Sequence, residues 1–255
     1  MRTARHSTLS ILSASLLISS ITLSAHAENK QSTHHYNEPT RGFFLEHGMV
    51  SGTGHASVEL HSGSAGLSTG GGIRLGLPNS ELILNGGKST YDKNEALLKW
   101  AMPDFKPNAE TKNVIKWSAI GGISQLGIEN ISVNNTNFNH LNQTNIKLGA
   151  AATIKADAGT FTVSPLLIYT HGDLADETFA ELGFGAYVGV IDTKAGLFSL
   201  GFEANFTSQS HTNNQFTLGG RWAYNERVNL DIIPVVLQNN NFTSFPGLVR
   251  LNVVF

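Results

Sequence analysis

From Phe43 to the last residue, this 255-residue chain is written almost everywhere with a period of two. Ile146, Leu148, Ala150, Ala152 and Ile154 alternate with Lys147, Gly149, Thr153 and Lys155. Phe198, Leu200, Phe202, Ala204 and Phe206 alternate with Ser199, Gly201, Glu203, Asn205 and Thr207. Successive residues of a strand point to opposite faces, so each such run has one apolar and one polar face. Helical periodicity is hard to find. The pattern predicts an all-β fold with twelve strands, at about 54–62, 66–77, 80–90, 95–102, 113–125, 144–156, 159–170, 178–191, 194–207, 213–225, 227–238 and 246–255. Ten or fourteen strands are the alternatives.

The connections between these runs take turns. Pro78-Asn79, Ala156 to Gly159, Asp192 to Gly196 and Asn225 to Arg227 are tight. Tyr91 to Asn94, Leu126 to Gln143, His171 to Glu177, Ser208 to Thr212 and Asn239 to Phe245 are longer and polar. Pro103 to Lys112 is the exception, long where a tight turn is expected. Short turns at one end and longer loops at the other suit a membrane barrel, with periplasmic turns and extracellular loops. The Asn-rich stretch Glu129 to Asn145 reads as a surface loop.

The first 27 residues carry Arg2 and Arg5, an apolar stretch from Ile11 to Leu23 and a small-x-small site at Ala25-His26-Ala27. They predict a secretory signal cleaved near Ala27. Residues 28–41 read as a flexible lead-in and 42–255 as the barrel. Phe43 to Val50 is left over: an extension of the first strand kinked at Gly52-Thr53-Gly54, a periplasmic segment or a lumen plug. Without Arg2 and Arg5, 15 basic and 19 acidic side chains remain, a net charge of −4. Such a balance gives no reason to expect a nucleic-acid partner. With no Cys, neither disulfides nor thiol chemistry is available.

The chain closes on Gly247 to Phe255, GLVRLNVVF, where Val249, Leu251, Val253 and Phe255 share one face of a strand. With a signal peptide and alternating strands before it, this resembles a Gram-negative outer-membrane β-barrel protein. The resemblance implies a closed antiparallel transmembrane barrel in the outer membrane. It implies that Val249, Leu251, Val253 and Phe255 form the mark read by the barrel-assembly machinery, and that outer-membrane lipid is the other partner. A physical reason stands beside it. In lipid, every backbone N–H and C=O must be paired internally, and only closure removes a sheet's edges. A soluble periplasmic sandwich or lipocalin-like barrel would put the apolar face inward instead.

If the face of Phe255 meets lipid, the opposite parity lines the lumen. Glu59, Arg74, Glu81, Glu95, Lys99, Lys116, Lys147, Glu181, Glu203, Arg221, Asp231 and Arg250 then point inward, six of each sign. They either pair and close the interior or line a watery path of weak ion selectivity. The inner glycines, Gly70, Gly72, Gly183, Gly185, Gly189, Gly201 and Gly219, leave room that favours the watery path; they also relieve strain in a curved sheet. The leading reading is a passive porin-like channel for small polar solutes, the alternative a non-conducting surface barrel. His55 and Ser57, on one strand face, offer the start of a hydrolase constellation that acts on lipid, but no orienting third residue can be assigned. Trp222 and Tyr224 are expected at the short-turn interface and Tyr169 at the other. "NGGKST" at Asn85 to Thr90 lacks the leading glycine of a phosphate loop, having Leu82 there. His34, His35 and His47 make a poor chelate in an extended chain. No cofactor and no metal is expected.

Overall fold

The computed structural model describes residues 40–63, 67, 69–88, 92–107, 113–133, 136–156, 159–209, 214–238, 241–244 and 247–255. The expectations for the signal (1–27) and for 28–39 lie outside these residues. The first strands are β1 (Ala56–Gly63), β2 (Thr69–Leu77), β3 (Ser80–Lys88) and β4 (Asp92–Ala101). A long hairpin follows, β5 (Ile115–Val133) and β6 (Thr136–Ala156). Then come β7 (Gly159–Gly172), β8 (Glu177–Thr193), β9 (Gly196–Thr207), β10 (Gln215–Ala223) and β11 (Val228–Gln238). The last stave is broken into β12 (Asn241–Ser244) and β13 (Leu248–Val254), both paired with β11.

Each strand is antiparallel to the next, and β13 pairs with β1, so the sheet closes on itself. Twelve staves result. The seam runs from Ser57 opposite Val254 to Gly63 opposite Leu248. At its end the amide of Phe255 donates to the carbonyl of Ala56 at 2.7 Å. Closure matters because an open edge in hydrocarbon would leave a row of unpaired amides and carbonyls.

The side chains sort by parity. On β9, Glu203 is 2% exposed and its neighbour Phe202 43%. Leu60, Leu98, Leu148, Leu167, Leu200 and Leu218 all face out, as do Val249, Leu251 and Phe255 at the closing strand. Turned inside out, the fold would set buried charge against lipid, at about 2–4 kcal/mol for each Arg or Lys near the midplane. The apolar belt outside and the charged interior make this a closed antiparallel transmembrane β-barrel. At the short-turn end Phe198 stacks on Trp222 at 5.7 Å, Tyr224 meets Trp222 edge-on, and the Trp222 indole donates to the carbonyl of Ala195 at 2.8 Å.

Three expectations change. The Asn-rich stretch is not simply a surface loop: β5 and β6 continue their ladder through it, from Gly127 opposite Asn142 to Val133 opposite Thr136. Polar residues can form a ladder beyond the membrane because backbone pairing needs no apolar face. Phe43 to Val50 does not extend the first strand. The chain turns at Gly54, with φ +83°, and β1 starts only at Ala56. The pairing of β4 with β5 runs on past Ala101 into the first part of the long connection: the amide of Met102 donates to the carbonyl of Trp117 at 3.0 Å, Phe105 and Ile115 exchange backbone hydrogen bonds at 3.0 and 2.9 Å, and the Trp117 indole donates to the carbonyl of Pro103 at 2.9 Å.

Candidate functional site: a lumen closed by its own leading segment

Residues 40–52 run inside the barrel. Phe43 is fully buried, and Leu45 and His47 nearly so. The wall cannot offer this segment backbone partners, because its own amides and carbonyls are spent in the ladder. Side chains must supply them, since a buried peptide group without a partner is costly.

They do so from around the wall. Glu203 of β9 accepts from the amides of Phe43 at 2.5 Å and Phe44 at 2.7 Å. Arg250 of β13 donates to the carbonyls of Phe43 at 2.5 Å and Gly42 at 2.7 Å. Arg221 of β10 donates to the carbonyls of Arg41 and Gly42, both at 3.2 Å. Lys99 of β4 reaches the carbonyls of Thr40 at 2.8 Å and Met49 at 2.7 Å. The amide of Gly48 donates to Thr153 Oγ1 of β6 at 2.8 Å. Thr40 and Ser51 donate to Glu81 Oε1 at 3.0 and 2.5 Å.

The segment's side chains fit hollows left by glycine. Gly201 and Gly219 are directly opposite each other on β9 and β10, and a methyl on either would meet the Phe43 ring. A methyl on Gly183 would strike Leu45. Ile233, Val236 and Leu248 complete an apolar nest for Phe43. Tyr187 packs edge-on against Phe43 at 5.7 Å and donates its hydroxyl to Glu203. These three inner glycines therefore make room for the leading segment rather than for water.

The charges form three groups. In the first, Arg74 pairs with Glu46 at 2.6 Å and lies 3.5 Å from Glu81, while Lys99 lies 3.1 Å from Glu46 and 3.2 Å from Glu81. In the second, Asp231 is shared by Arg221, at 2.6 Å, and Arg250, while Arg41 pairs with Glu59 at 3.1 Å. In the third, Glu95 pairs with Lys147 at 2.6 Å, and Glu181 accepts from Asn205 at 3.4 Å. Lys116 stands apart, exposed on β5, with its carbonyl against Gly48.

Two cavities of about 230 Å3 each, with charged and apolar residues mixed in their linings, remain. One lies at the short-turn end, beside His55, Ala56, Asn252 and Val254. The other lies at the loop end, beside His61, Gly87, Lys93 and Glu95. Arg41, Glu59 and Arg250 line both and so mark the partition between them. His55 and Ser57 line the short-turn cavity, away from the lipid-facing surface. Gly86 and Gly87 of the NGGKST stretch lie within β3. His47 packs on Tyr187 at 5.1 Å; His34 and His35 lie outside the described residues.

No family model and no curated protein matches this chain. Among solved structures, the porin NanC in a rhombohedral crystal form is similar over 78% of this chain and 98% of that one, with 10% identity and a TM-score of 0.45. The barrel stands on its closed ladder and its outward apolar face.

Sequence reading missed the inner partners Arg41, Glu46, Lys93 and Tyr187. Signals for them existed. Arg41 and Glu46 bracket the apolar run Phe43-Phe44-Leu45 in an otherwise polar stretch. Tyr187 stands on the inward parity of β8 among Gly183, Gly185 and Gly189. Lys93 shares the parity of Glu95 and Lys99, but belonged to a strand whose start was read three residues late.

Proposed function

We propose that the protein is an outer-membrane channel of a Gram-negative bacterium for small polar solutes, closed at rest by its own leading segment. The observation that carries this reading is the pair of cavities with charged residues in their linings, one toward each end of the lumen, parted by Arg41, Glu59 and Arg250. A barrel meant only as a scaffold gains nothing from a recess with charged residues in its lining at each end. The leading segment adds Arg41 and Glu46, and the wall adds Lys93, to the twelve charges read from the sequence, so the signs stay within one of balance and the open path would select weakly by charge.

A second reading has its own support. The leading segment is held by backbone hydrogen bonds from five wall side chains, and a permanently closed barrel acting at the surface needs such anchoring.

The test uses the full chain in a planar bilayer. Its lack of Cys allows a clean Leu45→Cys/Gly183→Cys pair, because Gly183 faces the Leu45 side chain. The channel reading expects conductance steps of near-equal cation and anion permeability, abolished on oxidation and restored on reduction. Silence in the reduced pair, in the unaltered protein and in Glu203→Gln, with no solute uptake into liposomes, would leave the scaffold reading.

A further inference from the structure

The geometry points to the loop-end cavity as a binding site for zwitterionic solutes of short-peptide size; this deepens the channel reading and rests on it for its place in a solute path. Four cations and four carboxylates line the cavity. Most are already matched. Arg41 is taken by Glu59, Glu46 by Arg74, Lys147 by Glu95 and Arg250 by Asp231. Two are held loosely. Lys93 lies 3.7 Å from a Glu95 oxygen that Lys147 already occupies at 2.6 Å, and its side chain keeps 38% of its surface open. Glu181 has the 3.4 Å hydrogen bond from Asn205.

These two loosely held charges have opposite sign and stand on different walls. Lys93 is on β4 and Glu181 on β8, four staves on, about 19 Å along the wall at ~4.8 Å per strand. Both nevertheless line the same cavity, so the closed wall turns the two charges into one space. A net anion would meet Glu181 and a net cation Lys93, each at a cost. A solute with a carboxylate at one end and an ammonium at the other pairs with both, and such charge-assisted hydrogen bonds are the strong ones.

The rest of the cavity suits a peptide. Asn85 and Asn205 offer amide partners for a peptide bond, and Leu97, Ile120 and Leu166 make an apolar side for an aliphatic side chain. At about 230 Å3 the space equals about eight waters at ~30 Å3 each, which limits the occupant to roughly a dipeptide.

The test is isothermal titration calorimetry of the detergent-folded full chain with three probes: glycyl-leucine, its N-acetyl form and its C-terminal amide. The free dipeptide should bind saturably, with each capped form weaker by about tenfold or more. Lys93→Gln should erase the preference for the free carboxylate, and Glu181→Gln the preference for the free ammonium. Heat-modifiable gel mobility confirms that both variants are folded. Equal binding of all three probes, no saturable heat at millimolar dipeptide, or unchanged preferences in both variants would overturn the assignment. Calorimetry reads binding alone, so a protein that binds glycyl-leucine but never conducts would retire the channel and keep the site.

Discussion

Glu203 and Phe43, 160 residues apart, are joined by a 2.5 Å hydrogen bond from the amide of Phe43 to the carboxylate. The same carboxylate takes the amide of Phe44 and the hydroxyl of Tyr187. Hydrogen bonds to a charged group contribute about 1.5–3 kcal/mol each. Glu203→Gln should therefore loosen the leading segment without opening the barrel wall. Trypsin cleavage after Arg41 measures it: the rate in the folded protein should rise at least about tenfold over the unaltered protein. An unchanged rate would show that the carboxylate does not hold the segment.

Asp231 sits between Arg221 and Arg250. Asp231→Asn would leave two buried guanidinium groups without their shared anion. Removing one partner of a buried ion pair costs about 3–5 kcal/mol. The urea midpoint of the detergent-folded barrel should fall sharply. By contrast, Lys88→Gln breaks only the exposed pair with Asp92 and should shift it by less than about 1 kcal/mol.

The Phe43 ring and the Gly201–Gly219 hollow form a fitted pair. Gly201→Val should expel the ring, and Phe43→Ala should empty the hollow at about 3–5 kcal/mol. Combined, the two changes should cost less than their sum, with a coupling of about 0.5–3 kcal/mol in a double-mutant cycle. Strict additivity would mean that the ring does not sit there.

Single cysteines test which way the wall faces, because the chain has none of its own. A lipid-dissolved thiol probe should mark Phe202→Cys and Leu218→Cys, and a water-soluble one should not. Glu203→Cys and Arg221→Cys should escape the lipid probe. Leu218→Arg should lower stability by up to about 2–4 kcal/mol if it lies near the bilayer midplane.

Ser57→Ala addresses the hydrolase idea. His55 and Ser57 line the short-turn cavity, out of reach of the surrounding acyl chains. Phospholipid incubated with the purified variant and with the unaltered protein should give the same product level. A drop confined to Ser57→Ala would restore a catalytic role for the pair.

The staves, their antiparallel order and the inward parity of the charges were legible in the residues, because alternation is a local property. Each strand declares its two faces over eight or ten positions, and lipid allows one assignment of them. Lys116 differs from the buried charges in being exposed. The sequence also determined that closure needs no disulfide, having no Cys to make one. What occupies the lumen was decided only by the tertiary structure. A glycine at 201 reads the same whether water or the ring of Phe43 fills the space above it. Nor does parity say that Asp231 takes both Arg221 and Arg250 while Glu203 takes backbone amides. Those choices join residues up to 208 positions apart. They arise only when the closed wall has used up its own peptide groups and must satisfy the enclosed segment with side chains.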